Sequence, residues 1–422
     1  MGKTIFFSVG EPSGDQHAAR LIHALRQADP SITTRGFGGQ KMRDAGCAVD
    51  LDLTEHAVVG ILEVLPKLRQ FFGFADQAEA IFKAGEVDAV VLVDFPGFNW
   101  HIAKRAKRLG IPVFYYCPPQ LWAWGGWRVK KMRASVDHVL AVLPIELSYY
   151  QSHGVPTTFV GHPFFDAVAD QSLNQAVCQQ LRASAGSGPL VAVLPGSRTH
   201  EVHSNWPLMV EAMRSICHQV HGVRFAVAGY RSKQVAFCKE FLLTHADSLP
   251  VDFYEGCTSE IIEVSDAAMM VSGSVSLEMM ARRTPAAVVY RVGRFLYAFG
   301  KCVVKVPSMT LPNLMPPESY ADGKDSSNEP VYPEIVSVGN PAPASEFLAE
   351  TVTKLLLDRT YRDHKCEQLD GLAERFAKPG ASSAAASELI RLLGLRSDVP
   401  PPLSQRHRGS TSVTDSPSRS RA

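Results

Sequence analysis

From end to end the chain alternates short apolar runs with helical stretches, and that alternation limits its fold more than any other feature. In the first half the runs are Ile5–Val9, Ala89–Asp94, Val113–Cys117, His138–Leu143 and Thr158–Val160. Helical stretches such as Asn99–Leu109 and Ile145–His153 lie between them. Near-continuous apolar runs suit strands buried on both faces, and the intervening helices supply the cover. The pattern breaks at "GHPFFDAVADQSLNQ" and restarts with "GPLVAVLPGSR". Further runs follow at Val223–Ala228, Val251–Tyr254, Ala267–Val271 and Ala286–Tyr290. The expected class is α/β, with two Rossmann-like domains facing a cleft at the carboxyl ends of their sheets. The expected domains are 1–168 and 169–375. A C-terminal helix in 376–396 is expected to pack back on the first domain. Residues 397–422, rich in Pro, Ser and Arg, are too polar to offset their ordering entropy and read as a disordered tail. The segment Glu318–Glu334 reads as a polar loop rather than a core element.

Four turns on this frame carry the chemistry. "SVGEPSGDQ" sets a glycine-bearing turn between a strand and a helix, with Glu11, Ser13, Gly14 and Asp15 at the helix start. The free amides of a first helical turn hold anions or sugar hydroxyls. It is not G-x-G-x-x-G, so no dinucleotide cofactor is signalled. "VAVLPGSRTHEV" repeats the device in the second half, with Gly196 and Ser197 in the turn and Arg198 where a helix begins. A guanidinium beside a helix N-terminus suits a diphosphate. "MMVSGSVSLEMMARR" places Ser272, Gly273 and Ser274 in a small-residue turn and Glu278 one helical turn further on. Small residues let backbone amides approach phosphates, and a carboxylate accepts from both ribose hydroxyls. Asp94 ends "AVVLVDF", where a carboxylate faces the cleft and can take a proton from a hydroxyl nucleophile. Each motif alone also reads as an ordinary capped turn, and for Asp94 alone an Asx turn or cap onto "PGFN" is the leading reading; the pairing of two anion-cradling turns favours a nucleotide diphosphate. Asn313, in "LPNLM", both donates and accepts, yet alone it is no more than a turn residue.

Two stretches are more apolar than their positions require. The segment His56–Phe74 carries Val59, Ile61, Leu62, Leu65 and Leu68, and "LWAWGGWRVKKMR" adds Trp122, Trp124 and Trp127 beside basic residues. Trp with Lys and Arg suits a membrane interface or an acylated substrate. Lys plus Arg number 43 against 42 Asp plus Glu, so no charge excess points to nucleic acid. No apolar run reaches the roughly 18 residues a spanning helix needs. The start of the chain lacks the pattern of a secretory leader, and eight scattered cysteines without C-x-x-C spacing suit a reducing cytoplasm. His200 and His203 do not form H-E-x-x-H, so no metal is expected, and no G-x-S-x-G supports hydrolase chemistry.

Taken together, "GEPSGD", "VVGILEVLPKL", "DFPGFN", "PQLWAWGGWRVKKM", "LPIE", "GHPFFD", "LPGSRTHEV", "SGSVSLEMM" and "LPNLM" closely resemble the lipid-A-disaccharide synthase family, over about residues 4 to 395. The resemblance implies a GT-B type glycosyltransferase with no cofactor or metal. Its implied substrates are UDP-2,3-diacylglucosamine and 2,3-diacylglucosamine 1-phosphate. The product would be a β-1,6-linked disaccharide 1-phosphate, formed with inversion. Asp94 matches the family's proposed base; Arg198 and Asn313 match residues expected near the donor. The resemblance also implies a peripheral place on the inner face of the cytoplasmic membrane, and leaves a homodimer open. One departure stands out: where the family often has a second acid after Asp-x-Pro, this chain has Gly97. Asp94 is therefore expected to act as the only acid of that motif. The rivals are a glycosyltransferase acting on a polyprenyl-linked peptidoglycan precursor, a UDP-sugar 2-epimerase, and a UDP-sugar-binding protein without catalysis.

Overall fold

The computed structural model describes residues 2–56, 68–229, 231–245, 248–304, 306–316 and 329–394. Two parallel sheets organise them. The first joins β1 (Thr4–Val9), β2 (Thr33–Gly38), β3 (Ala48–Asp52), β4 (Ala89–Val93), β5 (Val113–Tyr116), β6 (His138–Ala141) and β7 (Thr157–Phe159). Their order across the sheet is β3-β2-β1-β4-β5-β6-β7. The second joins β8 (Leu190–Leu194), β9 (Arg224–Gly229), β10 (Val251–Glu255), β11 (Ala267–Val271), β12 (Ala286–Val292) and β13 (Glu334–Val338), in the order β10-β9-β8-β11-β12-β13.

The apolar runs behave as double-sided burial requires. Every residue of β4, β8 and β11 is buried, because helices cover both faces of each sheet. The sequence reading passed over β2, β3 and β13. "TTRGFG" and "AVDLD" are short, interrupted by glycine or acids, and lie toward the sheet edge, where burial is incomplete. The end of the expected polar loop is also structural: Tyr332 is fully buried, and Glu334 opens β13. Residues 317–328 and the tail 397–422 lie outside the described residues.

In each sheet the strand order reverses at one point: between β1 and β4 in the first, and between β8 and β11 in the second. Connections leave such a pair in opposite directions and open a crevice beyond the carboxyl ends, where ligands of open α/β sheets bind. The turns after these four strands are those that carry Glu11, Asp94, Arg198 and Ser272. The last described helix, Ala381–Leu392, packs against α1 (Pro12–Ala28) of the first domain. Asp166 fastens its start, accepting from the amides of Gly380, Ala381 and Ser382 at 2.5, 3.1 and 2.8 Å. Among the described residues no helix is long and apolar enough to cross a membrane.

Candidate active site

Asp94 follows the last residue of β4 in an unusual backbone state. Asp94 and Phe95 have φ of 46° and 47°, the left-handed region that non-glycine residues avoid. Each such residue costs about 1–3 kcal/mol and persists only where its surroundings impose it. Here they do. The Asn99 amide donates to the Asp94 carbonyl at 2.7 Å, and the Tyr115 hydroxyl donates to the same oxygen at 2.7 Å. Asn99 is itself held by the Ser8 hydroxyl, which donates to its Oδ1 at 2.7 Å. The turn after β1 meets this bend: a Cβ on Gly10 would sit 2.2 Å from the Phe95 ring, so only glycine fits there.

Burial raises the Asp94 carboxyl above its ordinary value, with the Phe95 amide pulling the other way. Glu11, from the turn after β1, is raised as well, first by burial and then by the Asp94 charge, while Arg198 lowers it. The charges of Asp94 and Arg198, from two other loops and both domains, thus both act on Glu11. The sequence reading, having found Gly97 in place of a second acid, expected Asp94 to be the only acid of its motif. A further acid, Glu11, stands in the first loop some eighty residues away, close enough for the Asp94 charge to raise it. Glu146 adds a third buried carboxyl nearby. It accepts from the amides of Val142 and Leu143 at 2.9 and 3.1 Å, and burial pushes it up to about 8.

The second domain supplies the facing wall. Gly196 has φ of 121°, and a Cβ there would lie 2.6 Å from the Glu201 side chain, so the turn needs glycine. The Ser197 and Arg198 amides both donate to Glu201 Oε2 at 3.1 Å, and the Arg198 guanidinium donates to Oε1 at 3.0 Å. The anion-cradling turn therefore holds an internal carboxylate, supplied by the third residue of the helix Thr199–Gln219. After β11, the Ser272 hydroxyl donates to the Met309 carbonyl at 2.9 Å, and a side chain on Gly273 would meet nothing within 4 Å. Glu278 is buried and accepts from Arg282 Nε at 2.9 Å. Asp94, Gln120 and Phe164 from one side and Gly196–Arg198, Ser272–Ser274 and Glu278 from the other enclose a cleft of about 660 Å³.

Other predicted site residues stand elsewhere. Asp15 is buried, and its carboxylate accepts from the amides of Gly39, Lys41 and Met42 at 2.8, 2.9 and 3.2 Å. It caps α2 (Gln40–Asp44) rather than facing substrate. Gly14 packs α1 onto the sheet, where a Cβ would meet Val9 at 3.1 Å, and Ser13 is exposed in the first turn. Asn313 does not line the cleft. It is buried, donating to the Tyr332 carbonyl at 2.9 Å and accepting from the Tyr332 amide at 2.9 Å. Trp122 is only 7 % exposed, so it is no surface anchor, whereas Trp124 and Trp127 are 49 % and 68 % exposed. Val59, Ile61, Leu62 and Leu65 lie outside the described residues, and Leu68 opens the helix Leu68–Lys83. Asn99, Tyr115, Gln120 and Glu201 were not singled out. Only Glu201 had a local signal, as an acid three positions into a helix.

A family model described as lipid-A-disaccharide synthetase matches residues 5–322. The lipid-A-disaccharide synthase of Coxiella burnetii is 32% identical over 391 residues, covering 93% of this chain and 99% of the relative. That of Trichlorobacter lovleyi is also 32% identical, over 394 residues, covering 93% and 98%. Among solved structures, Staphylococcus aureus MnaA with UDP aligns with a TM-score of 0.61 at 12% identity, covering 95% of this chain and 99% of that one. The calicheamicin glycosyltransferase CalG4 aligns at 0.54 and 14%, covering 93% and 98%. At such identities these two show the shared two-domain fold alone. The sequence match, by contrast, runs through both domains and all four cleft turns, and the chain belongs to the lipid-A-disaccharide synthase family.

Proposed function

We infer that the cleft joins UDP-2,3-diacylglucosamine to 2,3-diacylglucosamine 1-phosphate, giving the β-1,6-linked disaccharide 1-phosphate and UDP. The observation that carries this reading is that Asp94 of the first domain lines one cleft with Arg198 and the Ser272–Ser274 turn of the second. An inverting transfer needs one base and a stabilised leaving group, with no covalent nucleophile. The acceptor 6-hydroxyl oxygen attacks the anomeric carbon from the Asp94 side, and its proton passes to the Asp94 carboxylate. The bond from the anomeric carbon to the diphosphate oxygen breaks, and UDP departs with the electron pair. A raised carboxyl suits a base, because proton affinity grows with pKa.

On the donor side, the diphosphate takes the position that Glu201 now fills, receiving the Ser197 and Arg198 amides and the guanidinium. These donors and the Ser272–Ser274 turn balance the leaving charge without a metal. Glu278 receives a ribose hydroxyl. Exposed Phe72, Trp124 and Trp127 support docking on the inner face of the cytoplasmic membrane, where an acylated substrate resides. The test is incubation with both diacyl glucosamine substrates, followed by mass spectrometry. A tetraacyl disaccharide phosphate with equimolar UDP is expected. UDP release without disaccharide would replace the transferase reading with a hydrolytic one.

A further inference from the structure

Beside the nucleotide cleft lies a second cavity of about 630 Å³. Trp122 and Trp124 wall it from the first domain, and Tyr297, Val306, Leu311 and Val336 from the second. Lys301 is its only ionic side chain among the described residues. One face of the helix Arg294–Val303 serves it: Tyr297, Gly300 and Lys301 lie three and four apart, and Val304 follows at the helix end. Trp124 and Val304 form an isolated antiparallel bridge, so both domains build the wall.

The two cavities are neighbours. Gln120 lines both, and Met309, a wall residue of the apolar one, takes the Ser272 hydroxyl bond from the nucleotide turn. A chain attached to a sugar seated between Asp94 and Ser272 passes Gln120 directly into apolar surroundings. The volume falls within the roughly 300–1,000 Å³ usual for small-molecule sites. A sugar without an acyl group would leave this wall to water.

We propose that this cavity receives an acyl chain of the sugar-nucleotide donor. The proposal rests on the transferase reading above and adds where the donor's lipid goes. Its occupant belongs to the donor rather than the acceptor, because the cavity adjoins the Ser272 turn and shares wall residues with the nucleotide domain.

Gly300 provides the test. A Cβ built there meets nothing within 4 Å and Gly300 lines the cavity, so Gly300→Phe directs its ring into that space, and the change favours helix. Calorimetric affinity for UDP should stay within about twofold, because nothing in the nucleotide cleft changes. Wild-type affinity for a series of UDP-diacylglucosamine donors should rise by up to about fourfold per added methylene. In Gly300→Phe that slope should flatten, and kcat/KM with the long-chain donor should fall at least about thirtyfold, the worth of two to three buried methylenes. A diacetyl donor should be turned over as by wild type, and shortening the acceptor's chains should leave the defect unchanged.

Val336→Phe, on the edge strand β13, is the second filler and should act alike. An unchanged chain-length slope in both folded variants would overturn the proposal. So would a defect that follows the acceptor's chains. Failure of the transferase reading has a different signature: wild type would make no disaccharide from any donor pair, while the binding series would still report on the cavity.

Discussion

At the scale of the residue, the proposed chemistry turns on Asp94. Replacing Asp94 with Ala should lower kcat/KM by at least about a hundredfold, the usual worth of a general base, with UDP affinity retained by calorimetry. Near-normal turnover would remove Asp94 from the base role. Burial raises the Asp94 and Glu11 carboxyls, and the Asp94 charge raises Glu11 further. The acid limb of the kcat/KM profile should therefore lie above the ordinary carboxylate value of 3.8, with activity rising as the pH increases through it. Glu11→Gln should leave that limb above 3.8, because burial rather than Glu11 raises Asp94; a limb that falls to the ordinary value would refute burial as the cause. Glu146 gives a stability signature instead. Its folded carboxyl sits at about 8 against an ordinary 4.5, so its contribution is complete below 4.5 and lost as the pH rises through 8. His17 and His162 are held down to about 4 and 3, so they act in the opposite sense and only below about 6.5. Between pH 6.5 and 8, Glu146→Gln should remove a decline of up to about 1.4 kcal/mol per pH unit in urea unfolding. A profile identical to wild type would refute the raised carboxyl.

The element that most changes the picture is the turn Leu311–Leu314. Asn313 joins it to Tyr332, and Glu334 accepts from the Met309 and Thr310 amides at 2.7 and 3.0 Å. The turn therefore holds in place the Met309 carbonyl that receives Ser272, and it forms part of the apolar wall. Asn313→Ala leaves the buried Tyr332 amide unpaired and should cost about 1–3 kcal/mol in the urea midpoint. No loss of stability would mean that the network does not carry the turn. The sequence showed "LPN" and "PVYPE" as separate fragments. Their pairing was not legible, because no local pattern records which buried amide meets which strand. The turns after β1, β4, β8 and β11 were legible for the opposite reason: glycine, small residues and caps at a strand end are local requirements. The strand-end motif also misled once. Asp15 occupies a typical substrate position in "GEPSGD", yet its carboxylate satisfies α2, a neighbour visible only after folding.

At the scale of the molecule, the two domains divide the labour. The first brings the acids and the exposed aromatic surface, and the second brings the Gly196–Arg198 and Ser272–Ser274 turns. The helix Ala381–Leu392 ties the end of the described chain back to α1. The membrane prediction belongs here and uses only residues that reach the surface. Trp124→Ser with Trp127→Ser should reduce sedimentation with anionic vesicles several-fold. Undiminished sedimentation of the folded double variant would place the contact elsewhere. Trp122 is excluded from that test, because it is buried beside the apolar cavity.

By itself, the sequence determined the α/β class, the two sheets, the strand-end turns and the family. These depend on the periodicity of apolar residues and on residue types within a few positions of one another, which a linear chain displays. Only the tertiary structure decided that Glu11 feels the Asp94 charge, that Glu201 fills the Arg198 turn, and that Trp122 faces inward. It alone set Asn313 to hold a turn and opened an apolar cavity between the domains. Each of these rests on burial or on a partner far along the chain. Whether a side chain meets water, a charge or a packed wall is settled by which elements pack together, and no local pattern encodes that.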